Sequence, residues 1–338
     1  MLLRTPDFYV KFHCTAGKCT DTCCVGWEID IDEQTQAKYA AVTGTFGEKL
    51  HAHIEDGHFV LGPGDRCPFL DNCGLCEIYR QLGEKSLCAI CTQHPRFVEV
   101  YGDIEERGLG LCCEEAARLL LEENASPTLN FVESETDDPE DALPEDAREA
   151  RDAIFQERKN MFRILAESNT PLNKRLAALL DYAQDVAGTD SADIAGFSRE
   201  ALTDAWTAVL KQGESFGTAW DKALDRIIHG GQENVPAIFS DEDGTRIVAY
   251  MLYRYYAKSL FDGDSLGKVQ LAIFFWLTLK RFGKELAADS MHDNPRIAAV
   301  KLLSKQIEYS EENLGILADN FATNKMFSTE AFKKALGC

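Results

Sequence analysis

The chain has 338 residues, 45% of them apolar and 27% charged, which suits a globular protein of about two domains and excludes wholesale disorder. Its formal net charge of -21 argues against a general binder of nucleic acid or anionic membrane, because both need clustered Lys and Arg against phosphate. A basic or amine-bearing partner suits this surface, although acidity also serves solubility alone.

The first segment, MLLRTPDFYVKFHC, lacks an apolar run of signal-peptide length and carries Arg4, Asp7 and Lys11. No export signal is read, and a reducing, cytoplasmic setting is expected. Eleven of the twelve cysteines then follow between Cys14 and Cys113, with only Cys338 beyond them. In a reducing compartment such crowding points to metal rather than disulfides. The groups are Cys14, Cys19, Cys23 and Cys24; Cys67, Cys73 and Cys76; Cys88 and Cys91; and Cys112 and Cys113. Cys73-Gly-Leu-Cys76 and Cys88-Ala-Ile-Cys91 are C-x-x-C loops whose thiolates can turn toward one ion, and two such loops supply the four sulfurs of tetrahedral zinc or a cubane cluster. Adjacent cysteines such as Cys23 and Cys24 point to opposite sides of an extended segment and can serve two different sites. Both one and two centres fit the count. His13 and His94 adjoin these motifs, and His94 is the histidine best placed for a metal or active-site role.

Residues 1–125 are rich in turn formers (Gly57, Gly62, Pro63, Gly64, Gly74, Gly83), which predicts a loop-rich, metal-binding domain with short helices near Glu33–Tyr39 and Glu114–Glu123. Residues 126–150 contain Pro127, Pro139 and Pro144, with nine acidic residues against one basic between Glu133 and Glu149, and read as a linker or exposed loop. Residues 151–338 read as a helical domain. Thr170-Pro171 and Asn294-Pro295 are helix starts, Gly188 is a stop, and Ile247, Val248, Met251, Leu252 and Tyr255 give a helix beginning near Thr245 one buried stripe. The apolar run Val269 to Leu279 is too short to span a bilayer, so no membrane association is expected and a buried core helix is. The fold class expected is mainly α: a small loop-rich cysteine and metal-binding N-terminal region followed by an all-helical region. A dinucleotide loop is missing, since Gly108-Leu-Gly110 runs straight into Cys112 without the third glycine.

The segments CTAGKCTDTCCVGWEIDID (Cys14 to Asp32), CPFLDNCGLCEIY (Cys67 to Tyr79), LCAICTQHPRF (Leu87 to Phe97) and LCCEEAARLLL (Leu111 to Leu121) resemble the flagellin lysine-N-methylase family, whose cysteine signature is shared with a wider group of zinc- or iron-chelating proteins. RIVAYMLYRYY (Arg246 to Tyr256) and KQIEYSEENLGIL (Lys305 to Leu317) look like that family's C-terminal segments. The resemblance implies S-adenosylmethionine-dependent methyl transfer to lysines of flagellin by a protein carrying a 4Fe-4S cluster. The family's cysteine pattern falls on Cys14, Cys19, Cys23, Cys24, Cys67, Cys76, Cys88, Cys91 and Cys113, whereas Cys73 and Cys112 stand where it asks for none. The C-x-x-x-C-x-x-C of radical enzymes is missing as well: Gly26 stands where its third cysteine would fall. Trp27, His94 and Arg96, inside the cysteine motifs, are the candidates for lining a catalytic site, with packing around the metal as their alternative role. A non-catalytic zinc- or iron-binding scaffold with a helical partner-binding domain is the competing expectation. A disulfide-exchange role for Cys88 and Cys91 lacks the strand context it would need.

Overall fold

A computed structural model of the protein describes residues 1–20, 22–122, 128–136, 143–190, 192–229 and 237–338. It is mainly α. In chain order the N-terminal part contains β1 (Leu2–Pro6), α1 (Glu33–Ala40), α2 (Gly44–Ala52), a short hairpin of β2 (Ile54–Glu55) and β3 (His58–Phe59), α3 (Glu77–Leu82), α4 (Ala89–Gln93), β4 (Arg96–Tyr101), β5 (Ile104–Leu109) and α5 (Glu114–Leu120). After β6 (Phe131–Glu135) the remaining elements are helices: α6 (Glu145–Ala166), α7 (Leu172–Ala187), α8 (Arg199–Leu210), α9 (Thr218–His229), α10 (Asp241–Tyr255), α11 (Ser259–Asp262), α12 (Ser265–Ala287), α13 (Pro295–Glu308), α14 (Glu311–Thr323) and α15 (Thr329–Leu336).

The helices expected near Glu33 and Glu114 are α1 and α5. Asp32 caps α1 by accepting the Thr35 amide at 3.0 Å, which satisfies one of the orphan N–H groups of the first turn. The loop-rich region also contains a four-stranded sheet in the order β4-β5-β1-β6 that the sequence reading did not anticipate. β1 pairs parallel with β5 and antiparallel with β6, so its partners lie about a hundred residues away, where local alternation gives no signal. Two stretches read differently in the fold. Part of the acidic segment 126–150 is an edge strand, and α6 begins inside it at Glu145; residues 126–127 and 137–142 lie outside the described residues.

In the helical part α12 runs through the centre against α7, α9, α10 and α13. Its apolar run is the buried core helix expected, and Gln270 inside it is satisfied by donating to the Phe327 carbonyl at 2.8 Å. Asn294 caps α13 ahead of Pro295, and Gly188 closes α7 in the left-handed conformation. The helix anticipated near Thr245 starts earlier, at Asp241, where Ser240 and Asp243 form a reciprocal capping box. It is buried on every side from Asp243 to Tyr255 rather than along one stripe, because sheet and helices enclose it. No described helix is long and apolar enough to cross a membrane.

Two apolar cores result. The larger joins α5 to the helical part, and the smaller gathers Ile29, Ile31, Tyr39, Leu50, Phe59, Phe69 and Ile78 around Cys67 and Cys88.

Candidate functional site

Five of the twelve cysteines meet at the small core. Cys67 and Cys88 are buried in it, and Cys24, Cys76 and Cys91 pack against it. Backbone geometry brings them together: the Cys67 amide donates to the Cys24 carbonyl at 2.8 Å, and Cys76 and Cys88 each sit immediately before a short helix. Asp32 adds a tie by accepting the Ala89 amide at 2.8 Å, which fixes α4 against α1 and holds the Asp32 carboxyl below its ordinary pKa. The Sγ atoms of Cys88 and Cys91 are 3.2 Å apart, and no disulfide joins any cysteine of the described residues.

Burial pushes the Cys67 thiol up to about 12, with the charges of Cys24, Cys76 and Cys88 acting in the same direction. Burial followed by the Cys24 and Cys88 charges also raises Cys76. Cys91 is raised chiefly by sharing a proton with Cys88 and by burial. Cys24 is lowered to about 7, mainly by its contact with the Cys23 thiol. The five sulfurs of Cys24, Cys67, Cys76, Cys88 and Cys91 therefore share one electrostatic neighbourhood.

A second group lies on the far side of the Cys23-Cys24 pair. Cys23 is raised by contact with Cys24, by desolvation and by the charges of Cys14 and Cys113. Cys113 precedes α5, and Glu114 holds the Cys19–Cys24 loop there by accepting the Thr20 amide at 2.9 Å and its hydroxyl at 2.7 Å. The two adjacent thiols touch each other rather than pointing to opposite sides as an extended segment would have them, so the pair links the two groups, Cys23 facing Cys14 and Cys113 and Cys24 facing the small core.

Of the two cysteines outside the family pattern, Cys73 is exposed in a turn organised by Asp71, which draws apart the two C-x-x-C loops that the spacing suggested. Cys112 is buried elsewhere, its Sγ 3.9 Å from Nε2 of His94.

Crowding acidic thiols in a buried place opposes their ionisation, an arrangement that a cation or cluster relieves. An all-sulfur donor set matches zinc or iron-sulfur in kind. In geometry the set is still open: among the described residues no three Cys, His, Asp or Glu side chains are already disposed to hold one ion.

Beside the sulfurs, at the junction with the helical part, stands an aromatic cluster. The rings of Trp27 and His94 are 5.5 Å apart, and Trp27 stacks on Tyr309, the residue that ends α13, at 5.6 Å. Trp27 is anchored to the cysteine loop by donating Nε1–H to the Cys23 carbonyl at 2.9 Å. The Lys305 ammonium lies 4.6 Å from the Trp27 ring centre and donates to the Val25 carbonyl at 2.8 Å. Gly26 makes room for it: with φ at +93°, a Cβ there would sit 2.8 Å from Nζ. Burial, and then the Lys305 charge, lowers His94 to about 4, so its imidazole is neutral near pH 7.

Behind Tyr309 lies a buried charge network. The Arg254 guanidinium is 5.2 Å from the Tyr309 ring centre and donates to Glu308 at 2.9 Å. Tyr250 and Tyr255 also donate to Oε2 of Glu308, at 3.0 and 3.3 Å, and its buried Oε1 has no hydrogen-bond partner among the described residues.

Of the three residues singled out for a catalytic site, the structure brings Trp27 and His94 together. Arg96 points to a different place, its guanidinium 5.1 Å from the Phe12 ring centre. Sequence reasoning passed over Lys305, Glu308, Tyr309 and Arg254 as functional residues. Their signal was available, because all four lie in the two helical segments that carry the family resemblance.

This combination, a cysteine-gathering unit clamped to a helical bundle through an aromatic cluster that seats the Lys305 ammonium, is that of a sulfur-rich protein with a small sulfur-lined core beside a larger helical one. The chain belongs to the family of the flagellar protein FliU and the lysine-N-methylases. It is 31% identical over 127 residues to Flagellar biosynthetic protein FliU of Salmonella muenchen, covering 34% of this chain and 75% of that one. Over the same length it is 31% identical to Lysine-N-methylase of Salmonella typhimurium and of Salmonella choleraesuis, spanning 31% of each of those proteins. The match thus covers less than a third of the curated methylases. No protein-family model matches the chain, and no solved structure matches it significantly.

Proposed function

We propose that the protein transfers methyl groups to lysine side chains of a protein substrate of the flagellin kind, with S-adenosylmethionine as donor and a 4Fe-4S cluster held by cysteines. The observation that carries the reading is the seat of Lys305: an ammonium over an indole face, bonded to a carbonyl of the cysteine loop, beside a neutral imidazole. A recess that accepts this chain's own lysine has the chemistry to accept another. Cation-π attraction and a carbonyl acceptor suit an ammonium and its methylated forms. The relatives' names, lysine-N-methylase and FliU, support the same assignment.

Cys24, Cys67, Cys76, Cys88 and Cys91 form the set from which four ligands would be drawn, and Cys14, Cys19, Cys23 and Cys113 are available to the same or a second centre. A bound cluster supplies a positively charged, electron-accepting centre that stabilises the surrounding thiolates. In methyl transfer the lysine must first lose a proton, since its unperturbed pKa is near ~10.4. His94 is neutral at pH 7 but, lowered to about 4, is too weak a base to take that proton; in this reading the amine gives its proton to solvent before docking, and the imidazole serves as a neutral polar neighbour that does not repel it. The amine lone pair then forms the N–C bond as the S–C bond of the sulfonium breaks, and the donor leaves as a thioether. Trp27 and Tyr309 hold the amine in line and exclude water.

The test is to incubate anaerobically reconstituted protein with methyl-labelled donor and flagellin. Label on lysine is expected; its absence under conditions where the protein is metal-loaded contradicts the catalytic reading.

One observation favours a second reading, that of a metal-stapled scaffold. Cys67 and Cys88 lie inside the small core itself, where zinc would substitute for missing apolar area. A colourless preparation with stoichiometric zinc favours this reading, and broad visible absorption favours the first.

A further inference from the structure

We infer that the cleft between α8, α12 and α15 is a second ligand site, which takes a small amphipathic anion: a carboxylate or phosphate carried on an apolar body. The cleft has a volume of about 240 Å³ and lies among the helices on elements that contribute nothing to the cysteine loops or the aromatic cluster. Arg199 from the start of α8, with Lys280 and Arg281 from α12, lines its mouth. Trp206, Leu277 and Phe282 form its apolar wall.

Three cations at one opening are unexpected on a chain of net charge -21, whose 56 acidic residues outnumber its 35 Lys and Arg. Where such a surface gathers positive charge, carboxylates ordinarily close on it. Here no carboxylate among the described residues forms an ion pair with any of the three. Glu200 on α8 is near enough to act electrostatically on both Arg199 and Arg281, and Asp204 on Arg281, but neither carboxylate closes to an ion pair with them. Arg199 donates Nε–H to the Lys334 carbonyl at 2.7 Å, which fixes the guanidinium at the mouth. The Arg281 guanidinium lies 5.6 Å from the Phe282 ring centre, so charge and apolar wall adjoin.

Two of the three threonine hydroxyls of the lining, those of Thr203 and Thr207, are committed to the backbone, and the third belongs to the buried Thr278. Thr203 donates to the Arg199 carbonyl at 2.8 Å and Thr207 to the Thr203 carbonyl at 2.9 Å, both back along α8. The donors left to meet an incoming group at the mouth are chiefly the cationic nitrogens, which select an anion, while the wall selects an apolar body.

Calorimetric titration of the full chain tests this with four probes of one chain length: octanoate, octyl phosphate, octanol and octyltrimethylammonium. Both anions bind, octanol binds more weakly and the cation fails to bind. The ratio of the two anions tells which head group the site prefers. Arg199→Gln with Arg281→Gln weakens the anions about tenfold or more, the scale of one lost charge-assisted hydrogen bond. Leu277→Trp, which fills the cleft without touching the charges, weakens them as well, and circular dichroism confirms that both variants fold. Equal binding of cation and anions, unchanged affinity in both folded variants, or no binding of either anion to the wild-type chain overturns the inference.

Discussion

Trp27 and Lys305, drawn from opposite ends of the sequence, meet with the ammonium 4.6 Å from the centre of the indole. The same ammonium bonds to Val25, next to Cys24, so the helical part reaches into the cysteine loop with a positive charge. Replacing the indole removes a partly desolvated cation-π seat worth up to about 2 kcal/mol. Trp27→Leu is therefore expected to lower lysine methylation by up to about thirtyfold, and Trp27→Phe by much less. Initial rates with labelled donor, alongside the circular dichroism of each variant, check this.

His94 makes stability depend on pH. Its folded pKa of about 4 lies below its ordinary 6.5, so the folded protein binds fewer protons than the unfolded chain between those values. The stabilisation is complete above pH 6.5 and is lost as the pH falls toward 4, by up to about 3 kcal/mol. Urea denaturation of wild type and His94→Gln across this interval is expected to show a steeper acid decline in the wild type.

Glu106 on β5 and Arg158 on α6 form a fully buried ion pair, with Nη1 2.8 Å from Oε2, and Arg158 also donates to the Tyr253 carbonyl at 3.0 Å. The pair joins the sheet to the helices. Glu106→Gln leaves a guanidinium buried without its counter-charge, which costs about 3–5 kcal/mol. Thermal denaturation is expected to show a large loss, and Glu106→Gln combined with Arg158→Met is expected to recover much of it.

Much of the helical part was legible because its signals are local. Asn294-Pro295 caps α13, Gly188 ends α7 with φ at +63°, and the Val269–Leu279 run lies in the buried α12. The sheet was not legible, since Leu2 pairs with both Ile104 and Glu135 and no neighbouring residue encodes that choice. The sulfur-rich region could be read from spacing, yet spacing alone could not separate Cys76, which joins the small core, from Cys73, which a turn holds at the surface. The aromatic cage was half legible. Trp27 and His94 lie inside cysteine motifs, but Lys305 and Tyr309 look like an ordinary helix end until the two parts of the chain come together.

Cysteine substitutions should separate the groups. Cys73→Ser is expected to keep the bound metal, and Cys67→Ser to lose it along with the small core that Cys67 helps to fill. Metal content per chain, measured after gel filtration, distinguishes the two variants.

The most direct measurement is the iron, zinc and acid-labile sulfide content of the full chain purified without oxygen, with its visible spectrum. Stoichiometric iron and sulfide are expected, and both disappear together in Cys67→Ser and Cys88→Ser. Protein free of metal, folded, and with every thiol open to alkylation would contradict this expectation.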